Sequence, residues 1–214
     1  MKLSLYSLFI LALTAAAPIL AQSGDAAAGQ GKATICSACH GFNGKGILPL
    51  YPNIGGQGEA YLYKQISEIK SGARVVPEMA PFTAILSDQD MMDLAAYFAS
   101  QPKQLEGAQP LESIPFALNP EDFLDLGEVI FRSGNLENGV PACTGCHSPS
   151  GMGNFPAGYP ALSGQKTEYL VKQLNNFQNN LRTNDGETQM MRGVVARMSA
   201  LEIEAVANFI SGLN

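Results

Sequence analysis

The chain has 214 residues, 15% of them charged, with a formal net charge of −6. An acidic balance without a basic stripe argues against nucleic acid as a partner. After residue 21 no apolar run reaches the roughly 20 residues that a bilayer span needs, and the length fits one ordinary domain or two small ones.

The first 21 residues have the order of a secretory signal: Lys2, an apolar stretch over residues 3–13, then small residues ending at Ala21. Cleavage after Ala21 is the expected processing. A cut after Ala17 and an uncleaved N-terminal anchor are the alternatives. A helix is expected over residues 25–35, immediately before Cys36-Ser37-Ala38-Cys39-His40. Further on, Leu62, Ile66 and Ile69 fall at i, i+4 and i+7, one apolar face of an amphipathic helix. Ser87 followed by Asp90 reads as a capping box opening a helix that ends near Phe98. Residues 102–119 hold Pro102, Pro110 and Pro115 without helical period, and read as a linker.

The pattern then starts again. A helix is expected over residues 120–131, ahead of Cys143-Thr144-Gly145-Cys146-His147. Leu170, Leu174 and Phe177 repeat the apolar face, and Ser199 with Glu202 repeats the capping box. Tyr51-Pro52-Asn53-Ile54-Gly55-Gly56-Gln57 matches Tyr159-Pro160-Ala161-Leu162-Ser163-Gly164-Gln165 at an offset of 108, and Arg74 matches Arg182 at the same offset. Leu86-Ser87 matches Met198-Ser199 at an offset of 112. Two copies make two similar globular domains rather than a solenoid. Gly29 and Gly127 interrupt the first helix of each half, where glycine costs about 1 kcal/mol against alanine. Close crossings at Tyr97 and Phe209 would account for them. Residues 133–142, rich in Gly and Asn, have no counterpart in the first half and read as a surface loop.

The two Cys-x-x-Cys-His motifs contain all four cysteines and both histidines of the chain. This pentapeptide is the attachment signature of c-type haem. Two thiols form thioethers to the vinyl groups, and the adjoining histidine ligates iron. Cys36, Cys39, Cys143 and Cys146 are thus expected to hold two covalent haem c groups. Three other readings stand beside this one. A thioredoxin-like pair needs a βαβ context. A single zinc site could take the four thiolates. Two disulfides would suit an oxidising compartment.

His40 and His147 are the expected proximal ligands. With no third histidine, the sixth position falls to methionine, lysine, an amine, water or nothing. Thioether ligation suits an electron-transfer haem and raises its potential. Met79 lies eight residues before Ser87, and Met191 eight residues before Ser199, so spacing selects Met79 and Met191. Met190 is left as core filler. Pro52 or Pro49, and Pro160 or Pro156, are candidates to offer a carbonyl to the histidine's other ring nitrogen. Arg74 and Arg182 are candidates for the haem propionates, with solvent exposure as the alternative. The charge is uneven: residues 22–105 carry six Lys/Arg and seven Asp/Glu, residues 106–214 six and twelve. Negative charge stabilises oxidised iron, so the C-terminal haem is expected at the lower potential.

These residues resemble the dihaem cytochrome c4 family over nearly the whole mature chain. The resemblance rests on the two haem motifs, on the Tyr-Pro…Gly-Gln-x-x-x-Tyr-Leu-x-Lys-Gln block in both halves, and on Arg182-Thr183-Asn184-Asp185-Gly186. It implies an all-α protein of two tandem cytochrome c-type domains related by a pseudo-twofold axis, here over residues 22–101 and 120–214. It implies His/Met ligation, which falls on His40 with Met79 and His147 with Met191. It also implies a monomeric periplasmic electron carrier, loosely attached to the inner membrane in some members. Its partners would be redox donors and acceptors, a membrane-bound terminal oxidase among them. The alternatives are an electron-accepting subunit of a dehydrogenase, and a small dihaem peroxidase or thiosulfate-oxidising enzyme.

Overall fold

A computed structural model describes residues 23–110 and 119–213. The expected signal, residues 1–21, and the middle of the expected linker lie outside the described residues. The first half consists of α1 (Ala26–Lys32), α2 (Thr34–His40), α3 (Glu59–Ser71), α4 (Ala80–Ala84) and α5 (Asp88–Ser100). The second consists of α6 (Pro120–Ser133), α7 (Thr144–His147), α8 (Thr167–Gln178), α9 (Met190–Val195) and α10 (Ala200–Gly212). Among the described residues there is no strand, only two isolated bridges.

Both last helices open as the sequence predicts. Ser87 Oγ accepts from Asp90 N at 3.1 Å, and Asp90 accepts from Ser87 N at 2.8 Å. Ser199 and Glu202 repeat the pair at 3.2 and 2.7 Å. Each cap contributes about 1 kcal/mol. The predicted apolar faces are the buried ones. Leu62 of α3 packs with Leu94 and Phe98 of α5, while Leu170 and Phe177 of α8 pack with Ile203, Val206 and Ile210 of α10. Each half therefore has its own core.

The helix before each haem motif crosses the last helix at a glycine. A Cβ on Gly29 would lie 2.0 Å from Asp93 O and 2.8 Å from Tyr97 Cβ. On Gly127 it would lie 2.3 Å from Ala205 O and 2.8 Å from Phe209 Cβ. The expected crossings at Tyr97 and Phe209 thus account for both glycines.

Next to this crossing the halves differ. In the first, buried Asp93 accepts from Asp25 N at 2.9 Å, Lys32 Nζ at 2.5 Å and Gln89 Nε2 at 2.8 Å. The Asp25 amide first, then Lys32 and Gln89, hold the Asp93 carboxyl below the usual carboxylate range. In the second half Phe123 and Ala205, both fully buried, close the same gap without a polar group.

Residues 133–142 form the expected surface loop over most of their length, with one residue anchored in the core. Asn135 and Val140 exchange both backbone hydrogen bonds at 2.8 Å, and Asn135 Nδ2 donates to Glu202 at 2.8 Å. Val140 is fully buried in the second core. The tip, including Leu136, and the flanking Ser133 and Pro141 face solvent.

Gly29→Ala and Gly127→Ala should each destabilise by about 1–3 kcal/mol, because the neighbour to be displaced is backbone. Gly31→Ala, with nothing within 4 Å of the new Cβ, should instead stabilise by up to ~1 kcal/mol. Denaturant unfolding of the three variants checks the contrast. A carboxyl depressed in the folded state stabilises above its unfolded pKa, near 3.9, and loses that contribution as pH falls through the folded value. The N-terminal domain should lose stability on acidification below about pH 4 through Asp93. Asp93→Asn should remove that component and leave the C-terminal domain unchanged, as read from domain-resolved NMR signals.

Candidate haem sites

Each haem motif ends a helix on a buried histidine. His40 closes α2 and His147 closes α7. The chain then turns at a positive φ, 64° at Gly41 and 66° at Ser148. At Ser148, ψ is 157°, a region that only glycine adopts readily. Its Oγ accepts from Met152 N at 3.0 Å, which helps hold the turn. The following loop returns a proline carbonyl to the imidazole. His40 Nδ1 lies 3.0 Å from Pro52 O, and His147 Nδ1 lies 2.9 Å from Pro160 O. A carbonyl only accepts, so Nδ1 carries the proton and Nε2 remains the nitrogen for a metal. Pro52 and Pro160, rather than Pro49 and Pro156, make this contact. Burial lowers the pKa of both rings, against the carbonyl bond, and so favours the neutral form that ligates iron.

One cavity of about 1200 Å³ runs through both halves. That exceeds the ~300–1,000 Å³ of a typical small-ligand pocket. It is lined by Cys36, Cys39, His40 and Met79 from the first half, and by Cys143, Cys146, His147 and Met191 from the second. Leu62, Ile66, Leu94 and Phe98, with Leu170, Leu174 and Phe177, supply apolar walls. Met190 also lines it, but is 39% exposed and accepts from Tyr159 OH at 3.5 Å. It lies at a rim, so the expectation of core filler fails.

The other readings of the cysteines find no support. Among the described residues no group of three or more His, Cys, Asp or Glu is placed to hold a metal ion, which removes the four-thiolate zinc site. The cysteines form no disulfide. Burial, and then Cys39, pushes the Cys36 thiol up to about 11, and burial does the same to Cys143. A reactive pair needs the opposite shift. Free thiols, buried neutral histidines and an apolar cavity fit two haem c groups.

The two sites meet across an interface that repeats itself. Gln165 Oε1 accepts from Asn53 N at 2.8 Å, and Gln165 Nε2 donates to Asn53 O at 2.8 Å. Gln57 makes the mirror pair with Ala161, at 2.8 and 3.0 Å. Arg74 donates to Gln65 at 2.7 Å, Tyr169 at 3.1 Å and Gln173 at 3.3 Å. Arg182 donates to Gln173 at 2.8 Å, Tyr61 at 3.2 Å and Gln65 at 3.0 Å. Every partner exchanges with its copy 108 residues away, so the domains are related by a pseudo-twofold axis. Neither arginine is solvent-exposed as the alternative supposed; both cross the interface and line the cavity. The linker adds asymmetric ties, from Lys103 to Ser163, from Gln109 to Asn208 and through Glu106. Glu106 accepts from Asn53 Nδ2 at 3.1 Å and Lys166 Nζ at 3.0 Å.

Two haems per chain should survive acid–acetone extraction, because both are thioether-linked, and intact mass should show both. A mass with one haem, or with zinc, would overturn the site assignment.

The cytochrome c family profile matches residues 26–102 and 125–214. A cytochrome c4 of Pseudomonas aeruginosa is 47% identical over 192 residues, 90% of each chain. The crystal structure of reduced recombinant cytochrome c4 from Pseudomonas stutzeri superposes with a TM-score of 0.82 at 45% identity, covering 90% of this chain and all of that one. A protein of Stutzerimonas stutzeri named thiosulfate dehydrogenase electron acceptor is 33% identical over 182 residues, 85% of this chain and 80% of its own. With two cytochrome c domains, two covalent haem c groups and this degree of likeness, the chain belongs to the cytochrome c4 family of dihaem electron-transfer proteins.

Proposed function

We propose that the protein is a periplasmic electron carrier that delivers electrons towards a membrane-bound terminal oxidase. Its domains run over residues 22–101 and 120–214, after a signal removed at Ala21. Cys36 and Cys39 hold one haem and Cys143 and Cys146 the other, with His40 and Met79 as axial ligands of the first iron and His147 and Met191 of the second. The observation that carries this ligand set is the repeat in three dimensions. Thr83 and Val195 are both buried, the Leu86 and Met198 amides donate to them at 3.2 and 3.1 Å, and both pairs keep the offset of 112 that equates Met79 with Met191. Bound haem supplies one-electron chemistry, while the protein sets potential and docking. Each proline carbonyl fixes a ring and its tautomer, and the apolar walls keep water from the buried imidazoles. Arg74 and Arg182 line the cavity, and among the described residues no salt bridge involves them. Haem propionates are the counter-charge this reading assigns them. A buried charge left unpaired is strongly destabilising.

Among the described residues no helix is long and apolar enough to cross a membrane. With the signal removed, attachment to the inner membrane is read as loose and peripheral. A second reading, the electron-accepting partner of a dehydrogenase, draws on the relative named for thiosulfate dehydrogenase. Mixing the reduced protein with oxidase-bearing membranes under oxygen separates the two. Rapid oxidation supports the first, whereas stoichiometric co-purification with a dehydrogenase, and no oxidation, supports the second.

Met79→Ala and Met191→Ala should each lower one haem's potential, open that iron to carbon monoxide and halve the far-red methionine–iron band. Met190→Ala should leave all three unchanged. If Met190→Ala opens the second haem, the ligand is misplaced by one residue. The same variants assign the two redox waves, and the C-terminal haem should be the lower.

A further inference from the structure

The carbonyl of Pro52 and the N–H of Asn53 are two ends of one peptide group. The oxygen accepts from His40 Nδ1 at 3.0 Å. The N–H donates at 2.8 Å to Gln165 Oε1, which belongs to the other domain. The peptide joining Pro160 and Ala161 repeats this. Its oxygen takes His147 Nδ1 at 2.9 Å, and its N–H donates to Gln57 Oε1 at 2.8 Å. Both glutamine amides have a forced orientation. Each Nε2 donates to a carbonyl, at 3.0 Å to Ala161 O and 2.8 Å to Asn53 O. Each Oε1 takes a second N–H from the next residue, Gly58 or Lys166, at 3.0 Å. Gln57, Gln165, Asn53 and Ala161 are all buried.

Hydrogen bonds in series polarise one another, and they do so most where water is excluded. An acceptor on the N–H side of a peptide makes its carbonyl oxygen more negative. That oxygen then draws harder on the imidazole proton, and the ring becomes a more basic ligand. A more basic ligand favours oxidised iron and lowers the potential. Asn53 also anchors the first loop alone: its Oδ1 accepts from Gly46 N at 3.0 Å and its Nδ2 donates to Glu106 at 3.1 Å. Ala161 has no side chain to do the same.

We propose that Gln57 and Gln165 are positioning residues acting across the domain boundary, Gln165 setting the ligand strength of His40 and Gln57 that of His147. This rests on the reading of His40 and His147 as iron ligands. Each haem's potential then depends on docking of the opposite domain, through one peptide group.

The test uses the full dihaem protein. Gln165→Met removes the acceptor at similar volume. It should raise the N-terminal haem's midpoint potential, increasing its reduced-to-oxidised ratio at fixed potential by about two- to fivefold. The C-terminal haem should stay where it was. Gln57→Met should do the converse. The paramagnetically shifted Nδ1–H signal of the opposite histidine should move in each. Gln165→Glu keeps an acceptor for Asn53 N–H, and should hold the N-terminal potential at or below that of the unmodified protein. The proposal fails if the shift falls on the variant's own domain, falls equally on both haems as a loosened interface would cause, or is absent. Wild-type protein with the methionine band intact and closed to carbon monoxide keeps the ligand reading standing in all of these cases. Loss of that signature in the wild type would instead defeat the ligand reading.

Discussion

A buried neutral imidazole has one nitrogen that donates and one that can bind a metal, and the structure is organised around fixing which is which. Helices α2 and α7 place the ring, and a residue of positive φ turns the chain away from it. A loop then brings a proline carbonyl within 3.0 Å of Nδ1 in both halves. That bond leaves the other ring nitrogen for iron. On the proposed ligation it also makes the loop part of the metal site, because displacement of the carbonyl would change the ligand. The loop is held from both sides, by the core of its own domain and by the glutamine of the other. The interface is therefore continuous, through one peptide group in each half, with the hydrogen bond to each histidine.

Much of this was legible in the chain because the physics behind it is local. A serine followed by an acid three positions later forms a capping box wherever a helix can start, and both predicted boxes are present. The apolar faces of α3 and α8 follow from helical period alone. The prolines, by contrast, were one of two choices in each half, since loop length fixes only the neighbourhood of a carbonyl. Arg74 and Arg182 were paired correctly by offset, yet their position across the interface needs a symmetry axis that no local pattern encodes. Gln57 and Gln165 carried the right signal, identity at equivalent positions, without any sign of their partners. Residues 133–142 are mostly the exposed loop that their Gly and Asn imply, but composition gives no sign that Val140 enters the core. Met190 was misread because its place in the chain, next to Met191, says nothing about which way its side chain faces on a helix.

The two halves show how one scaffold tolerates opposite solutions to the same packing problem. Where α1 crosses α5, a buried carboxylate collects three donors. Where α6 crosses α10, an aromatic ring fills the gap. The first depends on geometry, because a buried carboxylate without its donors is costly. The second depends on volume, and tolerates isosteric apolar change better than loss of atoms. The glycine beside each is unaffected by that choice, since it answers to the approach of two backbones.

The repetition of each interface contact by the copies of its two partners has a consequence for ancestry and for assembly. A surface on which a contact between two residues recurs between their copies with the roles exchanged is the self-complementary face of a twofold dimer. In this chain the two faces belong to one polypeptide, joined end to end by the linker that Glu106 ties down. The protein is in geometric terms a homodimer made permanent, and its linker turns a concentration-dependent association into an intramolecular one. Once joined, the copies are free to diverge. An exchange at Asn53 need not be matched at Ala161, so a symmetric pair can acquire two unlike members while its contact face still closes on itself.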